Sequence, residues 1–144
     1  MSTHDTRTSA DAVTVIGLGR FIEIAVNDTG LTASQFRALS LVGAGVTSSG
    51  VLARFLAVRP PTVTTVMNGL VEEGLVERIR DDADRRRVDY ALTEQGANAL
   101  AVANEAADRA LARLAEHLDD NQRGTAFDGI AAWRAALDTA RSQR

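Results

Sequence analysis

Residues 60–72 carry the first side chains whose types and spacing could do chemistry. Apolar residues recur there at the spacing of one helix face, which predicts an amphipathic helix that starts at Pro60 and stops before Gly74. That apolar set is Val63, Val66, Met67 and Leu70. The opposite arc presents small groups: Pro61, Thr64, Thr65, Asn68 and Gly69. Hydroxyl, amide and methyl groups of this size can approach base edges in the major groove of DNA.

The plainer interpretation of these threonines is simple solvation. However, three threonines this close together, Thr62, Thr64 and Thr65, reduce the stability of the helix, because threonine is a mediocre helix former. We therefore interpret this face as a DNA-reading surface. Arg59 precedes it, and Ser49 can cap the short helix before it, so both join the candidate DNA contacts.

A charged segment, Asp84-Arg85-Arg86-Arg87, is the second candidate for DNA contact. Guanidinium groups are attracted to the negative potential of a narrow minor groove. The alternative is a solvated loop held by its own ion pairs, because residues 77–89 contain five arginines and five acids. The acids precede the arginines, so Asp84 can orient one arginine while others face outward.

These side chains need particular elements to position them. The periodicities predict four helices, a hairpin with strands at 75–80 and 88–92, and two further helices. We predict a mainly α fold with a small β-hairpin wing, in which a winged helix-turn-helix is flanked by N- and C-terminal dimerisation helices. Residues 32–93 would form the DNA-binding lobe, 10–27 and 94–144 the dimerisation region, and 1–9 a flexible tail.

The flanking helices carry apolar residues that we assign to a dimer interface. They are Val13, Ile16, Leu111, Leu114, Leu118, Phe127, Ile130, Trp133 and Leu137. The helix that starts at residue 94 is longer than the small lobe. Its distal leucines must therefore be buried either against a second chain or within an intramolecular three-helix bundle.

A small-molecule effector would have to bind where the flanking helices meet the lobe. Phe21, Ile24 and Phe36 could line such a pocket, and Arg20 could bind an acidic ligand. The same residues fit a plain core and a surface arginine equally well.

Composition excludes several function classes. The 144-residue chain has a formal net charge of −3, no cysteine and two histidines. Disulfides and thiolate metal sites are excluded, and His4 and His117 are too few for a histidine metal site or a catalytic triad. We expect no metal, no cofactor and no catalysis, and the absence of a long apolar run or signal pattern predicts a cytoplasmic protein. All sixteen basic residues are arginine. Their positions therefore matter more than the net charge.

One run of motifs resembles the MarR family of winged-helix regulators. The matching residues are Leu52-Ala53, Leu56, Pro60, Val63-Thr64, Leu70, Glu73-Gly74-Leu75-Val76-Glu77-Arg78, Asp84-Arg85-Arg86, Leu92-Thr93 and Gly96. The resemblance implies a homodimer that binds a double-stranded, pseudo-palindromic operator, usually as a repressor and often released by a small aromatic or phenolic ligand. It also implies that Arg86 enters the minor groove, that Asp84 orients a wing arginine, and that the 60–70 helix enters the major groove.

The chain departs from the family pattern at Thr65 and Gly69, where many relatives place basic residues. It also lacks the cysteines of the family's peroxide-sensing branch. The leading hypothesis is a dimeric DNA-binding repressor. The alternative is a winged-helix protein-interaction module without specific DNA binding. The negative net charge of the chain and the zero net charge of the wing favour this alternative.

Overall fold

A computed structural model describes residues 3–80 and 88–142 of the chain. Six helices and one antiparallel hairpin follow each other in the predicted order. They are α1 (Thr3–Asn27), α2 (Ala33–Gly43), α3 (Ser49–Leu56), α4 (Pro60–Glu72), β1 (Val76–Arg80), β2 (Val88–Leu92), α5 (Glu94–Ala115) and α6 (Asp120–Ser142). The fold is therefore mainly α with a small β wing, as the sequence predicted.

The core lies where α2, α3 and α4 meet the hairpin. Its largest fully buried side chains come from every one of these elements: Leu39, Leu52, Met67, Leu70, Val63 and Val76, with Val26 from α1. Burying such side chains provides the main free energy that holds a small lobe together. The buried face of α4 is thereby fixed, and its opposite face is left to the solvent.

The hairpin is extended by the segment before α3. In β1 and β2 the register pairs Val76 with Leu92 and Arg80 with Val88. The backbone N–H of Tyr90 also donates to the carbonyl of Thr47 at 3.1 Å, and Ser48 forms an isolated bridge with Asp89. The wing is therefore tied to the helix-turn-helix on its inner edge.

Two helix starts are capped by threonine side chains. Thr32 and Gln35 form a reciprocal capping box at the start of α2. At the start of α5 the Thr93 Oγ1 accepts a hydrogen bond from the N–H of Gly96 at 3.0 Å. The same hydroxyl donates to the carbonyl of Gly74 at 2.6 Å, which ties α5 to the turn between α4 and β1.

Gly96 is required at this junction because α5 touches the chain backbone there. A Cβ atom at Gly96 would lie 1.8 Å from the carbonyl oxygen of Leu75. We predict that Gly96→Ala destabilises the protein by about 2 kcal/mol, roughly 5–10 °C in Tm, because α5 must move away from Leu75. Thermal unfolding followed by circular dichroism measures this.

Gly50→Ala is the matched control for that substitution. Gly50 is a helical glycine in α3, and a Cβ there would meet nothing within 4 Å. Its Tm should stay unchanged or rise slightly, because alanine is the better helix former. Equal melting temperatures for the two variants would contradict the close contact at Gly96.

Several predicted boundaries need correction. The structure starts α1 at Thr3, so residues 3–9, predicted as a tail, are helical. Their sequence lacks apolar periodicity, but a helix propagates into polar residues once it is nucleated. The N-cap of α3 is Ser48 rather than Ser49, and it makes no side-chain capping bond. The helix predicted over residues 94–118 ends earlier, because α5 stops at Ala115.

The long helices pack unequally. α5 buries a row of small residues, Ala103, Ala107, Ala110 and Ala115, and α1 packs against this helix. Small side chains let two helix backbones approach closely. By contrast, α6 makes few contacts with the other described elements. Among the helices that the structure describes, none is both long and apolar enough to cross a membrane.

Candidate nucleic-acid interface

The orientation of α4 is set by its buried face. Val63, Met67 and Leu70 are buried, while Val66 is half-buried against the core. The opposite arc is open to solvent at Pro61, Thr62, Thr64 and Thr65, and Asn68 and Gly69 are half-buried beside it. The predicted division of this helix into an apolar and a small polar face is therefore present in the structure.

The threonine hydroxyls on the exposed arc are held in defined positions. Thr64 Oγ1 donates to the carbonyl of Pro60 at 3.2 Å, and Thr65 Oγ1 donates to the carbonyl of Pro61 at 3.0 Å. Each hydroxyl oxygen keeps lone pairs that can accept a hydrogen bond from outside the helix. The adenine and cytosine amino groups that face the major groove are donors of the matching kind.

Arg78, which was not among the DNA contacts predicted from the sequence, joins this surface from β1. Its guanidinium donates through Nη2 to Oδ1 of Asn68, which links the wing to α4. The bond orients the Asn68 carboxamide and leaves its amino group as the free donor. It also brings a positive charge beside a face that carries none of its own between Pro61 and Val71.

A sequence signal for Arg78 does exist. Residues two apart in a strand lie on the same side, so Arg78 shares the side of Val76. Val76 is buried in the core below α4. Because that side of β1 faces the helices, a long side chain two positions further can reach the end of α4.

The start of α4 gathers more positive charge. Arg59 is the N-cap residue of α4, and Arg54 lies in the last turn of α3. Both side chains are exposed. Ser49, the first residue of α3, is half-buried. Exposed arginines at the end of one helix and the start of the next can bind phosphates on either side of a groove.

The contacts predicted for the wing tip belong to residues that the structure does not describe. Asp84, Arg85, Arg86 and Arg87 lie outside the described residues. Their assignment to DNA contact therefore stays a prediction from the sequence.

The residues predicted to bind an effector do not converge. An apolar cavity of about 480 Å³ lies between α1, α5 and α6, and Phe21 lines it together with Leu114 and Ile130. Arg20, Ile24 and Phe36 are not among its lining residues. Arg20 instead pairs with Glu23 at 2.9 Å. Phe36 packs against the lobe core, and Ile24 is exposed.

The residues assigned to dimerisation lie in three different places. Val13, Ile16 and Trp133 are exposed to solvent by 67%, 71% and 69%. Leu111, Leu114, Leu118, Phe127 and Ile130 line the 480 Å³ cavity. Leu137 lies elsewhere, in a second cavity beside Pro60.

Within the part of the chain that the structure describes, no group of three or more histidine, aspartate or glutamate side chains could hold a metal ion.

A helix with a small polar outer face, a preceding helix that braces it and a β wing together define a winged helix-turn-helix DNA-binding protein. Comparison with known sequences gives the family. Residues 29–87 match the model of the MarR family. The HTH-type transcriptional regulator Mb0904 of Mycobacterium bovis is 30% identical over 125 residues, which are 85% of this chain and 87% of that protein. The chain belongs to the MarR family of transcriptional regulators.

Solved structures agree with this fold. A MarR-family transcriptional regulator from Rhodococcus sp. RHA1 superimposes with a TM-score of 0.77 at 20% identity, over 100% of this chain and 98% of that one. The transcriptional repressor CouR, bound to a 23-mer DNA duplex, gives a TM-score of 0.73 at 27% identity, over 87% and 89% of the two chains.

Proposed function

We propose that this MarR-family regulator is a homodimeric repressor that recognises a pseudo-palindromic operator through α4. The observation that carries the proposal is the exposed arc of α4, where Thr64, Thr65 and Asn68 present oriented polar groups on a helix whose other face is buried. The repressor CouR, bound to DNA, supports the same use of the fold. The chain would act without catalysis, metal or cofactor, in the cytoplasm, where bacterial DNA lies.

The dimer part of the proposal rests on the apolar surface of the long helices. Ile16 and Trp133 are more than two-thirds exposed, and α6 makes few contacts with its own lobe. Large apolar side chains in that position mark an association surface. A second copy that inserts its own helices would cover this surface and place the two α4 helices on one side, as a two-fold operator requires.

The wing supplies the second contact with the operator in this proposal. Arg86 would enter the minor groove, and Asp84 would orient a neighbouring arginine. We predict that Arg86→Ala weakens operator binding about tenfold or more and lowers the salt dependence of binding by about two ions per dimer, one for each copy of Arg86. Anisotropy titrations at several salt concentrations measure both quantities.

Arg141→Ala is the control for the wing variant. Arg141 lies at the end of α6, and its loss changes the net charge by the same amount. We expect it to bind like wild type. If Arg86→Ala also binds like wild type, Arg86 has no role in the wing contact.

Release by a small aromatic or phenolic ligand completes the proposal. The 480 Å³ cavity between α1, α5 and α6 has a size suited to small organic molecules. Its lining is almost wholly apolar, with Thr14 and His117 as the polar exceptions.

The proposal as a whole is tested by fluorescence anisotropy of the protein on a duplex selected for binding and on its scrambled version at near-physiological salt. A preference of about a hundredfold or more supports a specific regulator. Equal and feeble binding to both duplexes would instead support the protein-interaction module.

A further inference from the structure

A second cavity lies between the helix-turn-helix and the end of α6. It has a volume of about 700 Å³, within the range of small-molecule sites. Three of its lining residues are Arg37 from α2, Arg54 from α3 and Arg59 at the start of α4. No carboxylate is among the residues that line it in the described part of the chain.

The rest of the lining is apolar. It consists of Ala53, Phe55, Ala57, Val58, Pro60, Leu137 and Ala140. Leu137 and Ala140 come from α6, while the other residues belong to α3, the turn after it and the start of α4. The cavity thus offers both cationic and apolar groups to one occupant.

The turn that forms one wall is held by hydrogen bonds. Ala57 adopts a left-handed conformation at φ +54°. The N–H of Val58 donates to the carbonyl of Ala53 at 3.2 Å, which holds the chain in that turn. Arg37 Nη2 donates to the carbonyl of Leu56 at 3.0 Å, so one of the three guanidinium groups is fixed on the wall.

We propose that this cavity binds an organic phosphate with an apolar portion. Three guanidinium groups that face no lining carboxylate favour an occupant with more than one negative charge. The guanidinium fork matches phosphate oxygens in a bidentate arrangement, and the apolar lining residues suit a ring or short alkyl group.

Occupancy would oppose DNA binding, and this part of the inference rests on the proposed function. Arg59 is the N-cap residue of α4, Arg54 lies in the last turn of α3, and both line the cavity. A bound phosphate would occupy these cations and place negative charge beside the approaching DNA backbone.

The first test uses isothermal titration of the full-length protein without DNA. The probe is 1-naphthyl phosphate, compared with 1-naphthol and with inorganic phosphate. We expect 1-naphthyl phosphate to bind at least tenfold more tightly than 1-naphthol and at least tenfold more tightly than inorganic phosphate. Equal binding of 1-naphthol would show an apolar site only, and absence of binding by the naphthyl phosphate would also overturn the proposal.

The second test locates the site. Arg54→Gln and Arg59→Gln should each weaken 1-naphthyl phosphate binding about tenfold. Arg109→Gln removes the same charge from an exposed pair with Glu105 on α5 and should bind like wild type. If Arg54→Gln, Arg59→Gln and Arg109→Gln all bind the probe equally, the phosphate does not occupy this cavity.

Competition between 1-naphthyl phosphate and DNA is measured in a separate experiment. The naphthyl phosphate should release wild-type protein from a selected operator duplex, whereas 1-naphthol should not. The titrations above use no DNA. Their results therefore test ligand binding even if the proposed DNA recognition fails. Binding of the probe without release of DNA would overturn the antagonist role alone.

Discussion

Thr65→Glu should abolish specific operator binding. Thr65 is exposed on the outer arc of α4, with its hydroxyl held against the carbonyl of Pro61. A carboxylate at this position would face the base edges and phosphates of the operator, and the phosphates would repel it. We expect affinity to fall by about a hundredfold or more, which corresponds to about 3 kcal/mol.

The substitution should not damage the fold. The side chain of Thr65 is exposed, and glutamate is a better helix former than threonine. Thermal unfolding should therefore match wild type while anisotropy on the selected duplex shows the loss. A folded Thr65→Glu protein that binds as wild type would remove α4 from the DNA interface.

Thr125→Glu is the matched control for Thr65→Glu. Thr125 is exposed on α6, and its hydroxyl also donates to the carbonyl four residues earlier, that of Asn121, at 3.0 Å. The two variants carry the same new charge in the same local setting. Only the variant on α4 should lose DNA binding.

Ile16→Glu should convert the proposed dimer into a monomer. Ile16 is 71% exposed on α1, in a row of apolar residues that a second copy would cover. In a two-fold dimer each substitution occurs twice, and loss of about 2 kcal/mol per side raises the dimer Kd about a thousandfold. Trp133→Glu on α6 should act in the same direction. Size-exclusion chromatography with light scattering measures the mass.

The control is an isoleucine on a different surface. Ile79 in β1 is 48% exposed and belongs to the wing. Ile79→Glu makes the same chemical change and should leave the dimer intact. A monomeric wild-type protein, or a dimeric Ile16→Glu protein at the same concentration, would contradict the assignment of α1 to the interface.

Local signals in the sequence were sufficient for the helix-turn-helix and the hairpin. Pro60 and Gly74 mark the two ends of α4, because proline suits a helix start and glycine adopts the φ of +72° found after the helix end. Alternation placed β2 at Val88–Leu92, as observed. Thr93 was recognisable as a cap because its hydroxyl can accept from an N–H of the first turn.

Features that depend on tertiary packing were harder to predict. Strand alternation places Arg78 on the same side of β1 as Val76, but its contact with Asn68 also depends on how β1 packs against α4, which no local pattern specifies. In α5 the leucines suggested the buried face, but alanines such as Ala103 and Ala110 make it, because α1 packs closely there. The cavity near Arg54 depends on where the end of α6 lies, which no local pattern specifies.

Selection of bound sequences from a random duplex library tests the central claim most directly. Wild-type protein should enrich a two-fold-symmetric motif with half-sites about one helical turn apart, about 10 base pairs, because two α4 helices would enter successive major grooves. Thr65→Glu, run in parallel, should enrich nothing. A folded wild-type protein that enriches no motif, or an equal motif from both proteins, would contradict DNA recognition through α4.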